Sequence, residues 1–198
     1  MNFSFATRIA AAAAFAVLAG CSAGPLDSAT TRSSAPPVTV PAADMLARHD
    51  LQGLTTAQVI DRLDASEDDR TNGPVGSVRS GELILSDGEG EATLPMPDDQ
   101  FYLSIAPYLT KTHECFNHNL ASCKGELADT SVHVKIVDAS GAVMVDRDVT
   151  TFANGFAGLW LPRDIEATLT VTYDGKTATV PVATGDGDPT CLTTLRLE

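Results

Sequence analysis

Between Leu169 and Val180 the sequence admits one strand register. Leu169, Val171 and Tyr173 alternate with Thr170 and Thr172, and the alternation resumes in mirror order from Lys176 to Val180. Asp174-Gly175 between the halves is a two-residue hairpin signal. Pairing Tyr173 with Lys176, Val171 with Ala178 and Leu169 with Val180 puts these pairs on one face. Thr170, Thr172, Thr177 and Thr179 then take the other. The preceding segment agrees: Val132, Val134 and Ile136 alternate with His133 and Lys135. Ser140-Gly141 marks a turn before Val143 to Val145, and Asn154-Gly155 another before Phe156 to Leu161. The expectation is a small antiparallel β-sandwich.

The part before it reads as mixed. Thr55-Thr56-Ala57-Gln58 has capping-box spacing, and Val59, Ile60 and Leu63 follow at helical intervals, which predicts a helix from Thr56 to Ala65. A shorter one is expected near Met45 to His49. Glu67 to Arg70 and Asn72-Gly73-Pro74 read as a polar loop. Two strands follow, around Leu83–Leu85 and Ala92–Met96, joined through Asp87-Gly88-Glu89-Gly90. Phe101 to Leu109 is apolar and aromatic, with no period that types it. The fold class expected is therefore α+β: a small α/β domain over residues 45–110, then a β-sandwich-like domain over 111–198.

The N-terminus carries a different signal. Met1 to Arg8 bears one side-chain cation, Ile9 to Val17 is a short apolar run, and Leu18-Ala19-Gly20-Cys21 closes it. The run is too short for a permanent membrane helix and has the three regions of a secretory leader. Residues 1–20 are read as a lipoprotein signal peptide and Cys21 as the lipidated residue; the alternative is an ordinary leader with an incidental cysteine. Residues 21–44, rich in Ser, Thr, Ala and Pro, read as a flexible tether. The product is expected to be exported and membrane-anchored, in the periplasm or on the outer face of the plasma membrane. The formal net charge of −13, with no Lys/Arg cluster, argues against nucleic-acid binding.

With Cys21 assigned to lipid, Cys115, Cys123 and Cys191 remain. Exported thiols tend to oxidise unless protected, and one disulfide would strand the third. On a straight helix Cys115 and Cys123 would lie ~12 Å apart along the axis. To act together they need a chain reversal, for which Asn117-His118-Asn119 is suited. Soft sulfur donors favour Cu(I), Zn(II) or iron–sulfur centres. Three thiolates suit low-coordinate Cu(I); zinc would want a fourth donor, which His113 or His118 could supply. The competing reading is a surface lipoprotein or binding module with a Cys115–Cys123 disulfide, a buried Cys191 and no metal.

Thr112 to Leu120, with Ser122-Cys123 and Gly125-Glu126-Leu127, resembles the central motif of the CueP family of periplasmic copper-binding proteins. Tyr102 to Tyr108, Thr151 to Phe156, Trp160 to Arg163, Tyr173 to Lys176 and Asp188 to Cys191 are similar to that family as well. The resemblance implies a metallochaperone-like copper protein, with Cys115, Cys123 and Cys191 on the family's copper-associated cysteines. It also implies reduction of Cu(II) to Cu(I) and supply of copper to an extracytoplasmic superoxide dismutase. Cys115 and Cys123 are the sequence-near candidates for the redox pair in that reduction, with Cys191 as the retained ligand. The lipobox departs from the family pattern. A homodimer is left open.

Other polar residues are weighed against this. His113 and His118 are auxiliary-ligand candidates beside Cys115. His133 alternates with strand apolars and is expected on an exposed sheet face, Trp160 is expected in a core, and no partner is evident for His49. His118 is one place too late for a zincin pair with His113. Asp186-Gly187-Asp188 lacks the calcium-loop pattern and reads as a turn. The sequence carries no nucleophile elbow, phosphate loop or dinucleotide fingerprint, so no catalytic residues are assigned and the protein is read as a metal carrier rather than an enzyme. A secreted enzyme with a site assembled from scattered residues is the remaining rival.

Overall fold

The structure is a computed structural model that describes residues 37–66 and 73–198. Cys21, the leader, most of the expected tether and the expected loop at 67–72 lie outside the described residues. Helices α1 (Ala42–Arg48) and α2 (Thr56–Asp64) come first. The strands follow: β1 (Val75–Val78), β2 (Glu82–Ser86), β3 (Glu91–Pro95), β4 (Gln100–Ile105), β5 (His118–Asn119) and β6 (Ser131–Asp138). They continue with β7 (Val143–Thr150), β8 (Ala157–Pro162), β9 (Glu166–Tyr173), β10 (Lys176–Ala183) and β11 (Cys191–Leu192). The class is α+β, with two helices preceding the strands. Among the described residues no helix is long and apolar enough to cross a membrane.

Local chemistry accounts for the elements that were expected. The Thr55 hydroxyl accepts from the Gln58 N–H at 3.3 Å, and Gln58 Oε1 accepts from the Thr55 N–H at 2.9 Å, so both halves of the capping box are made. In the β9–β10 hairpin Tyr173 faces Lys176, Val171 faces Ala178 and Leu169 faces Val180. Asp174 and Gly175 both take positive φ, as a type I′ turn requires. On the opposite face Thr170 meets Thr179 at 3.2 Å and Thr172 meets Thr177 at 3.3 Å, hydroxyl to hydroxyl.

The strands form sheets ordered β3-β2-β1-β5, β10-β9-β6-β7 and β11-β4-β8. The last is the middle layer. Phe101, Leu103 and Ile105 of β4 join Leu159 and Leu161 of β8 in a core shared with Val132, Val134, Ile136, Leu169 and Val171. On the reverse side Tyr102 enters a second core with Met45, Val59, Ile60, Leu83, Leu85 and Leu94, and Trp160 packs against it. Burial on both faces removes the alternation that would type β4 from sequence. Strand β1 was missed for a related reason: its inward residues are Gly76 and Val78, and a Cβ on Gly76 would lie 2.6 Å from the Leu120 side chain.

Two expected boundaries are corrected. The division at residues 110/111 fails because β4 pairs antiparallel with β8 and parallel with β11, while β5 pairs with β1. The described residues form one compact unit. The tether does not extend to 44 either. Val40 N–H donates to the Glu91 carbonyl, the Glu91 N–H donates to the Val38 carbonyl, both at 2.8 Å, and α1 starts at Ala42. His49 also finds a partner, the Asp87 carboxylate at 2.9 Å, which ties the end of α1 to the β2–β3 turn.

Gly158 tests how tightly the middle layer is fitted. A Cβ there would lie 2.0 Å from Tyr102 Oη. Gly158→Ala is expected to lower unfolding stability by about 1–3 kcal/mol, read as a reduced urea midpoint at unchanged m-value.

Candidate metal centre

The chain reversal required of Cys115 and Cys123 is built by Asn119. Its side-chain carbonyl accepts the N–H groups of Ala121 at 3.0 Å and Ser122 at 2.9 Å, and its backbone carbonyl accepts from Cys123 at 3.2 Å. The segment before Cys115 is pinned from below. Glu126 accepts the N–H groups of Leu109 at 2.7 Å and Thr110 at 2.9 Å and the Thr110 hydroxyl, and Thr112 donates to the Thr193 carbonyl at 2.8 Å. Cys191 arrives on β11, opposite Ser104 of β4. The N–H groups of Thr190 and Cys191 both donate to the Phe116 carbonyl, at 3.0 and 3.1 Å, locking the two distant segments together.

These constraints bring the three free cysteines into one pocket walled by Ala106 and Phe156. Cys115 and Cys123 Sγ lie 3.5 Å apart, and Cys191 Sγ lies 3.8 Å from His118 Nδ1. Among the described residues, two triads have ligand atoms within 4.8 Å of one another: His113, Cys115 and Cys123, and His118, Cys123 and Cys191. Both auxiliary candidates, His113 and His118, therefore reach the sulfurs, from different sides. His133 does not; it is exposed between Asp146 and Asp148 on β7. Trp160 packs on Tyr102 with ring centroids 4.8 Å apart and donates to Asp61. Asp188 accepts the Gly185 N–H at 2.7 Å within its own turn.

Sequence reasoning missed the support behind His118. Asp64, at the last position of α2 and fully buried, accepts from His118 Nε2 at 2.9 Å, Tyr102 Oη at 2.6 Å and Asn154 Nδ2 at 2.8 Å. The only trace in the sequence is that Asp64 follows Ile60 by four residues, an acid where an apolar side chain belongs. With Nε2 committed to Asp64, Nδ1 faces the sulfurs. This is the arrangement by which an outer carboxylate orients a ligating histidine.

The electrostatics follow from these contacts. Cys123 is the cluster's anion: hydrogen bonds from Cys115 and Cys191 lower its pKa against the cost of burial, and His118 and the Asn119 N–H, 3.3 Å away, reinforce them. Its partners hold their protons. Cys115 is pushed up to about 12 by its bond to Cys123, and Cys191 is raised by Cys115, Cys123 and burial. Burial opposes charge on His118, but Asp64 and the Cys123 sulfur outweigh it and carry the imidazole to about 9. Burial likewise works against the Asp64 carboxylate, yet His118, Tyr102 and Asn154 together hold its pKa below the usual 3.8.

A family model described as the periplasmic copper-binding protein CueP matches residues 58–196. The crystal structure of S.CueP is similar to this chain with a TM-score of 0.76 at 47% sequence identity, covering 79% of this chain and 96% of that one. No curated protein matches the chain.

The buried pair has a signature in pH. His118 rises from an ordinary 6.5 to about 9, so its stabilising contribution is full below the lower value and is lost as pH rises through the upper. Asp64 works in the opposite sense, contributing above its ordinary 3.8 and losing that contribution as pH falls. Urea unfolding of the reduced, metal-free protein should lose stability between about pH 6.5 and about pH 9 more steeply in wild type than in His118→Gln. Parallel slopes would contradict the pairing.

Proposed function

The chain belongs to the CueP family of periplasmic copper-binding proteins, and from that premise we propose that it captures copper as Cu(I) on Cys115, Cys123 and Cys191. His113 and His118 serve as auxiliary donors. One observation carries the reading: sulfurs from residues 115, 123 and 191 are free thiols gathered in a single pocket. A shell of sulfur and imidazole selects a soft ion and disfavours Ca(II) and Mg(II). Structural zinc takes four donors in a closed tetrahedron. Here each close-set group has three, with Cys115 and Cys191 in different groups.

Reduction of incoming Cu(II) belongs to the same proposal. Cys115 and Cys123, 3.5 Å apart, can join as a disulfide. That step releases two electrons, reduces two Cu(II) to two Cu(I), and frees the Cys115 thiol proton. Cys191 and His118 remain to hold one of the ions. The reaction is stoichiometric, so the protein acts as a carrier that stores copper or delivers it to an extracytoplasmic copper enzyme, of which a superoxide dismutase is one kind. Acylation of Cys21 would hold that carrier at a membrane surface.

Three measurements test these parts. Competition with a Cu(I) chelator is expected to give one tight Cu(I) per reduced chain, with Cys123→Ser losing at least about tenfold in affinity. Counting thiols under argon should show two consumed for two Cu(I) formed when Cu(II) is added; an unchanged count sinks the reduction step. Fractionation of expressing cells should find wild type with membranes and Cys21→Ser in the soluble fraction.

A further inference from the structure

The two triads differ in more than membership. In one, His113 and Cys115 reach solvent, and the next residue, Phe116, is 57% exposed. In the other, His118, Cys123 and Cys191 are all buried, His118 is clamped by Asp64, and its backbone N–H is held by the Thr190 hydroxyl at 3.0 Å. Cys123 stands in both. The inner side also holds an anomaly. Among the described residues, Ser104 Oγ is a buried side-chain oxygen with no hydrogen-bond partner. Ser104 lies opposite Cys191 in the parallel β4–β11 pair, so their side chains leave the same face of the sheet. A buried hydroxyl without a partner is destabilising and calls for a reason.

Resting on the reading of this cysteine cluster as the copper site, we propose that the reduced protein has two overlapping copper stations that share Cys123. The outer one, His113–Cys115–Cys123, takes up Cu(I). The inner one, His118–Cys123–Cys191, retains it, with the Ser104 hydroxyl donating to the Cys191 thiolate once copper is bound. The shared sulfur lets the ion cross without being released. Bonds from copper to the His113 nitrogen and Cys115 sulfur break, and bonds to His118 Nδ1 and Cys191 Sγ form. Copper stays Cu(I) throughout. The Cys191 thiol proton passes to the Cys115 sulfur, and the His118 Nδ1 proton passes to the freed His113 ring. The inner station keeps the ion because its donors are preoriented and shielded from competing ligands.

The test uses the reduced full chain with Cu(I)–bicinchoninate as the copper source. Cys115→Ser is expected to lose the fast phase of loading and to lose less of its final affinity than Cys191→Ser does. Cys191→Ser is expected to load rapidly but to bind at least about tenfold more weakly and release faster. Equal losses in both variants would leave a single three-sulfur site and overturn the two-station arrangement. Wild type that takes up no Cu(I) would sink the copper-site reading itself, a separate result. X-ray absorption of loaded wild type guards against misfolded variants: two sulfurs and one nitrogen fit a station built on either triad, and three sulfurs without nitrogen overturn the arrangement. Ser104→Ala separates roles further. A hydroxyl with no copper function predicts unchanged release and equal or higher metal-free stability; the proposal predicts faster copper release at that same stability.

Discussion

A carboxylate with no access to water holds this fold together. Asp64 ends the second helix, and its partners come from the middle sheet, from the short strand before the cysteine turn and from the turn preceding β8. Removing one partner from a buried charged group costs about 3–5 kcal/mol, because the charge left behind has neither water nor a counter-group. The helical layer and the sulfur pocket are therefore coupled: neither can move far without exposing or stranding this charge. The same coupling fixes the His118 ring, whose other nitrogen faces the sulfurs.

The second constraint is the middle sheet. Because β4 packs on both faces, it is a rigid partition between the sandwich core and the helix-covered core. On its edge it carries β11, the strand that delivers Cys191. Cys115 and Cys123 come instead from a loop held by side chains, Asn119 and Glu126 chief among them. One sulfur is thus mounted on a sheet and two on a side-chain-braced turn. A site built this way combines a fixed wall with a more accessible lip, which is what a protein needs if it must both hold an ion and let it through.

Charge acts at two scales here. The net charge of −13 lies largely on solvated carboxylates and sets a general bias toward cations. In the proposed reading selectivity arises inside, where hydrogen bonds from Cys115 and Cys191, with His118 beside them, lower the pKa of Cys123 against the cost of burial. A thiol whose pKa is lowered gives up its proton to a soft ion more readily, and a low-dielectric wall such as that of Phe156 and Ala106 strengthens attraction between opposite charges.

Much of the architecture is legible in the chain itself, wherever a local rule suffices. The Asp174-Gly175 hairpin, the Thr55–Gln58 cap and the β2–β3 pair follow from spacing and turn chemistry within a few residues of each other. The cysteine inventory and the need for a reversal at Asn117 to Asn119 were visible in the same way. Strand β1 and the type of β4 were not, because a core-facing glycine and two-sided burial erase the periodic signal. Nor could the sequence say that Asp64 would meet His118 across 54 positions or that Cys191 would lie beside that histidine across 73. It chose the donor atoms, since softness belongs to the residue type. Only the packed sheets decided which donors face one another, because contacts between distant segments arise from burial and register and leave no period in the chain.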